Sequence, residues 1–193
     1  MATSVIEICN NALLDLGEEA IVSLADNTKA ARLCNQRWPA VRDAVLRAHP
    51  WNCATAQTRL AAGSEPPAWQ YDRRFPLPAD CLRVLAVEVD GAALEAWEVQ
   101  EGAILCDEDG PLDIAYIRRI EDPRLFDPLL CEALSSRLSA TLAYPITAST
   151  SLAQSFWSAY AEKLREARGV DAREAAPISA PGPTSWLRAK LGR

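Results

Sequence analysis

The sequence predicts an α+β fold: a four-helix bundle with an inserted antiparallel β-meander and an extended C-terminal arm. Three observations predict it. Apolar residues recur at spacings of three and four towards both ends of the 193-residue chain, which is helical periodicity. Between Cys53 and about Glu121 the pattern changes to short runs rich in Val, Ile, Tyr and Trp, separated by turn residues. From Ala172 onwards Ala, Pro, Gly and Ser dominate, which leaves too little apolar mass to build a core. The domain reading follows: 1–52 and 123–171 form the bundle, 53–122 the β insert and 172–193 the arm. Consecutive elements usually pack together, so the two helix pairs are expected to close on each other.

The first helix starts at Ser4, where Ser4 and Glu7 make the S-x-x-E capping box. Val5, Cys9, Ala12, Leu13 and Leu16 supply its apolar face, and Gly17 ends it in a left-handed turn. The stretch Asn27 to Trp51 is the strongest helical signal. Ala31, Cys34, Trp38, Val41, Val45 and Ala48 line one face, with Arg32, Gln36, Arg42, Asp43 and Arg47 largely opposite. Asp26 and Asn27 are expected to cap it, and His49-Pro50 to end it. Pro39 lies inside and either kinks the helix or splits it; the unbroken apolar spacing favours a kink.

In the insert, WQYDRRF, LRVLAVEV, LEAWEV, AILC and LDIAYIRRI read as strands of one meander of five or six. Asp90-Gly91 and Asp109-Gly110 are tight-hairpin sequences, because glycine tolerates positive φ. Helix returns with Asp127 as N-cap and Pro128 at the first helical position, and Pro145 is expected to stop it. Its buried stripe is Leu130, Ala133, Leu134, Leu138, Thr141 and Leu142; Ser135, Ser136, Ser139, Ala140 and Ala143 allow a close neighbour. A fourth helix from about Thr150 places Ala153, Phe156, Trp157, Tyr160, Leu164 and Ala167 inward.

Composition excludes several functions. A net charge of -6 argues against a dedicated nucleic-acid binder, though not against a protein that lets DNA pass without gripping it. No apolar run reaches membrane-span length and the first residues lack a signal-peptide pattern, so a cytosolic protein with no membrane association is expected. The six cysteines, Cys9, Cys34, Cys53, Cys81, Cys106 and Cys131, are far apart and lack zinc or redox spacing; buried thiols are expected, with no metal and no cofactor. The single histidine, His49, suits packing or capping better than proton transfer. No nucleophile elbow or phosphate-binding glycine loop occurs. Glu18 with Glu19, Glu98 with Glu101, and Asp107-Glu108-Asp109 read as solvated acids, and the last lacks the full spacing of a calcium loop. The sequence is therefore read as non-enzymatic, with no catalytic residues.

Four segments in order, Arg42-Asp43, His49-Pro50-Trp51-Asn52, Leu77-Pro78-Ala79-Asp80-Cys81-Leu82 and Phe126-Asp127-Pro128, together with the D-I-A-Y-I-R-R strand and the terminal S-W-L-R-A-K, span nearly the whole chain. This set resembles tail tubular protein A, the head-to-tail adaptor of short-tailed bacteriophages and related prophages. The resemblance implies a helical bundle with an inserted β region and a structural role. Such adaptors form a ring of twelve subunits between the portal protein and a tail nozzle (tail tubular protein B-like). The ring continues the channel for double-stranded DNA, which passes without specific binding. The expected location is the neck of the virion tail, after assembly in the host cytoplasm, and the free chain is expected to be monomeric.

Within that reading the arm from Ala172 to Arg193 grips the portal or a neighbouring subunit, with Trp186 as its anchor and Leu187, Arg188 and Lys190 beside it. Three other readings stand beside it. One, a connector of a long-tailed phage, stays within virion assembly; a second, of another class, is a tail-associated cell-wall hydrolase using acids such as Glu98 and Asp109; a third is an unrelated bacterial interaction module.

Overall fold

A computed structural model describes residues 4–174. The chain runs α1 (Val5–Asp15), α2 (Lys29–Arg47), β1 (Thr55–Leu60), β2 (Arg73–Pro76), β3 (Cys81–Val89), β4 (Ala92–Ala93), β5 (Glu98–Gln100), β6 (Ala103–Cys106), β7 (Leu112–Arg118), α3 (Pro128–Thr147) and α4 (Thr150–Glu174). Single 3-10 turns at Asn52–Ala54 and Pro123–Leu125 join the helices to the sheets.

The helix ends follow local chemistry. Ser4 caps α1 by accepting from the Glu7 amide, and Gly17 beyond its end takes φ +76. Thr28 caps α2 by accepting from Ala31, in place of the expected Asp26 and Asn27. The Asp26 carboxylate instead accepts the Val22 and Ser23 amides and shapes the preceding loop. Pro39 lies within an unbroken α2, on its exposed side, where solvent satisfies the carbonyl it frees. Asp127 caps α3 through the Leu129 and Leu130 amides with Pro128 at the first position, as expected. Pro145 does not stop α3. The helix runs on to Thr147 and ends where Ala148 turns left-handed at φ +54.

The bundle expectation is overturned. The described residues form a mixed α+β fold of four helices and two antiparallel sheets, with α3 as the hub against which α1, α2 and α4 each pack. One apolar cluster joins Cys9, Leu13, Ala31, Cys34, Val41, Leu138 and Leu142 of α1, α2 and α3. A second joins Val45, Leu46 and Trp51 to Leu130, Leu134, Tyr160 and the sheet residue Ile117. Helix α4 buries only Tyr160, Ala167 and Asp171. Of its expected inward stripe only Tyr160 and Ala167 are buried, Ala153, Phe156 and Leu164 are half-buried and Trp157 is exposed, because α4 packs on the outside of α3. Helix α4 also continues to Glu174, so residues 172–174, read as the start of the arm, form its last turn.

The single meander is likewise replaced by two sheets, in the orders β1-β7-β3-β4 and β2-β6-β5. Strand β1 went unrecognised in the sequence, because T-A-Q-T-R-L carries one large apolar residue, Leu60, which alone of the six is buried. The segment L-E-A-W-E-V is no strand of its own; only its Glu98 and Val99 belong to β5. Asp90-Gly91 makes the β3–β4 turn, both residues at positive φ, and Glu101-Gly102 does the same between β5 and β6.

Asp109-Gly110 makes no hairpin. It carries the chain from β6 in one sheet to β7 in the other, with Gly110 at φ +77 against the Phe75 ring. The inner faces meet in a third cluster of Leu60, Val87, Leu112, Ile114 and Tyr116 against Phe75, Ile104 and Cys106. Alternation along β7 sends Ile117 the other way, into the helices, so one strand serves both cores.

Candidate assembly surfaces

The Arg42-Asp43 and 77–82 segments meet at the joint between helices and sheets, while Trp51 and Phe126 of the other two lie in the apolar cluster that joins Ile117 to the helices. Asp43 on α2 accepts from Arg42 Nε at 2.9 Å and from Arg119 Nε, just beyond β7, at 2.9 Å. The Arg119 amide donates to the Asp80 carbonyl at 2.7 Å, which draws in the turn before β3. Arg47 donates from α2 to the Leu82 carbonyl. Arg42 is thus buried, 9% exposed, where helical spacing alone put it on the outer face. The sheet covers that side of α2, and the carboxylate keeps the guanidinium paired.

The His49-Pro50-Trp51-Asn52 corner holds the end of α4. His49 Nε2 lies 3.0 Å from Asp171 Oδ2, the Asn52 amide donates to Asp171 Oδ1 at 3.1 Å, and Asn52 Nδ2 donates to the Asp171 carbonyl at 2.8 Å. Arg168 donates to the Ala48 carbonyl at 2.8 Å, and the His49 ring stands edge-on to Trp51 at 4.8 Å. Burial draws the imidazole below its ordinary value, and the Asp171 contact recovers only part of that. The latch fixes the last turns of α4 against the end of α2. Sequence reasoning missed Asp171; its spacing of three from Arg168 on one helical face was the available signal.

Among the surfaces of the described residues that are left uncovered, three bear on assembly. Strand β1 is an open edge of its sheet, and the outer face beside it forms a groove of about 600 Å³ around a two-pronged Arg59–Asp113 pair at 2.7 and 2.8 Å. The outer side of α4 and the α3 end beside it expose Tyr144, Leu152 and Trp157, with the Arg137 guanidinium 4.3 Å from the Trp157 ring centre. Two loops expose Val22 and Trp69, at 86% and 76%.

The acids considered for chemistry are dispersed. Glu98 is exposed on β5, Glu18 and Glu19 are exposed after α1, Asp107 accepts the Asp72 amide, and Asp109 is tied to Arg73 at 2.6 Å. Among the described residues no group of three or more His, Cys, Asp or Glu is arranged to hold a metal ion, and no helix is long and apolar enough to cross a membrane. Cys9 and Cys34, distant in sequence, are neighbours in the helical core, and their mutual hydrogen bond with burial drives the Cys9 thiol far up. The anchor residues Trp186, Leu187, Arg188 and Lys190 lie outside the described residues. No protein-family model and no curated protein matches this sequence.

Proposed function

We propose that this protein is a structural head-to-tail adaptor, similar to tail tubular protein A, that assembles as a ring, twelvefold by the resemblance, between a portal and a tail nozzle. The ring continues the DNA channel for genome retention and ejection. The observation that carries this reading is the pairing of two unlike surfaces on one subunit: an open strand edge at β1 and a half-covered outer helix face on α4. A closed ring needs a head-to-tail interface, in which two different patches meet on neighbouring copies. Edge strands left open can pair with another chain, so β1 offers one of the two patches that such an interface needs.

The net charge of -6 suits a conduit, since lysine and arginine contacts to phosphate supply most nonspecific affinity for DNA. The resemblance itself is carried by ordered segments that build the joint, so those segments speak for the fold more than for the partner. The test is particle imaging of the chain mixed with its portal. A ring on the portal supports the reading; a subunit that remains solitary beside the portal contradicts it.

A further inference from the structure

A second groove, of about 420 Å³, lies between α1, α3 and α4, far from the β1 edge. Its lining is mixed: Pro128 and Cys131 give it an apolar end, Ile8 lies buried beneath, and Asn11, Ser135 and Ser136 are polar. Its rim is acidic: the carboxylates of Glu7, Asp15 and Glu132 stand against one ammonium, Lys163. Lys163 is held by Glu132 at 2.8 Å, and its pKa is raised first by that bond and then by burial-opposed attraction to Glu132, Glu166 and Asp15, so the field there is negative beyond the pair itself. No lysine or arginine other than Lys163 lines the groove.

The chain supplies a segment of opposite character. After Glu174 it contains no acid, and Trp186 and Leu187 are followed by Arg188, Lys190 and Arg193. Its starting point is fixed, because the Asp171 latch holds the end of α4. Glu174 is eleven helical residues past Lys163, or about 16 Å along the axis. Residues 175–185, also eleven, span up to roughly 36 Å when extended, more than twice that distance. A tethered segment within reach binds at high effective concentration, which favours its own subunit over another copy.

We infer that residues 186–193 dock in the α1/α3/α4 groove of their own chain, with Trp186 against its Pro128 and Cys131 end and the three bases along the acidic rim. The inference stands apart from the adaptor reading, since both partners belong to one chain. Within that reading, the segment is held on its own subunit until a larger ring competes for it.

Amide resonances of the full chain test this. In R188E/K190E/R193E, and separately in W186A, signals of Asn11, Ser135 and Lys163 should move from their wild-type positions. Added salt should move the wild-type signals the same way, and dilution should leave them unchanged. Glu7→Lys, at an exposed side chain, should release the segment while leaving the fold intact, read as loss of any further change on adding W186A. Resonances that ignore all the tail substitutions overturn the docking. Resonances that revert on dilution overturn the intramolecular part, because they require a second copy.

Discussion

Asp43 is the residue on which the joint between the two layers turns, because one carboxylate answers guanidinium groups from α2 and from the chain after β7. The Arg42 side chain is 11% exposed, so solvent replaces little of a deleted carboxylate and only the longer contact to the exposed Glu121, at 3.9 Å, remains. Breaking a buried pair by deleting one partner leaves an uncompensated charge, and partial exposure of Asp43 and Arg119 reduces the cost from the fully buried case. Asp43→Ala should therefore destabilise the protein by about 2–3 kcal/mol in urea unfolding, and a cycle with Arg42→Met should recover much of it. An Asp43→Ala variant as stable as the parent would mean that the ion cluster does not hold the layers.

His49 makes a pH prediction. Its pKa is lowered in the fold, by burial first, with Asp171 opposing and Arg168 and Arg83 adding to the decrease. A histidine whose folded pKa lies below its unfolded value resists protonation when native. Its stabilising contribution is complete above the unfolded value of about 6.5 and is lost as pH falls from there through the folded value. Unfolding free energy should decline over that window, and His49→Gln should flatten the slope. The same slope in the variant would assign it to other groups.

The elements show what periodicity reveals and what it hides. The cap at Asp127-Pro128 and the Gly17 stop were legible because they depend on residues within one turn. The existence and type of all four helices were legible for the same reason. The two-sheet division was not. Asp109-Gly110 has the composition of a hairpin, and only the seat of Phe75 beneath it shows that the glycine serves a crossing between sheets.

A Cβ at Gly110 would lie 2.6 Å from Phe75 Cε1 and 2.9 Å from Cζ, at a backbone φ of +77 that disfavours other residues. Phe75 is fully buried, so the ring has little room to move. Gly110→Ala should cost about 2–3 kcal/mol, combining overpacking with the left-handed conformation, and should lower the thermal midpoint. Gly91→Ala, at a similar φ with open space around it, should cost only the conformational part, near 1 kcal/mol. Equal losses at the two sites would remove Phe75 from the explanation. Strand β1 and the burial of Arg42 escaped sequence reading for a related cause: both are set by what lies opposite, and alternation or helical spacing reports only the element itself.

At the scale of the molecule, α4 is an outer helix locked at its end and bare over much of its length. That arrangement separates folding from attachment. Truncation after Glu174, which keeps the Asp171 latch, should leave the unfolding midpoint within a few degrees while abolishing co-sedimentation with the portal. Truncation before Asp171 removes the latch as well and confounds the two effects. A chain ending at Glu174 that still docks normally would place the attachment elsewhere, at the β1 edge or the Trp157 face.

The candidate site was legible only in outline. The tail's Trp186 and bases stand out by composition, whereas the surfaces they could meet depend on how α1, α3 and α4 pack, which no local pattern reports. The most direct test of the adaptor account is electron-microscopic imaging of the full chain with its portal, classified without imposed symmetry. The account predicts a closed ring of copies coaxial with the portal, twelve in number, surrounding an open channel. Portal particles that carry no ring, with the chain remaining a single subunit in solution, would contradict it.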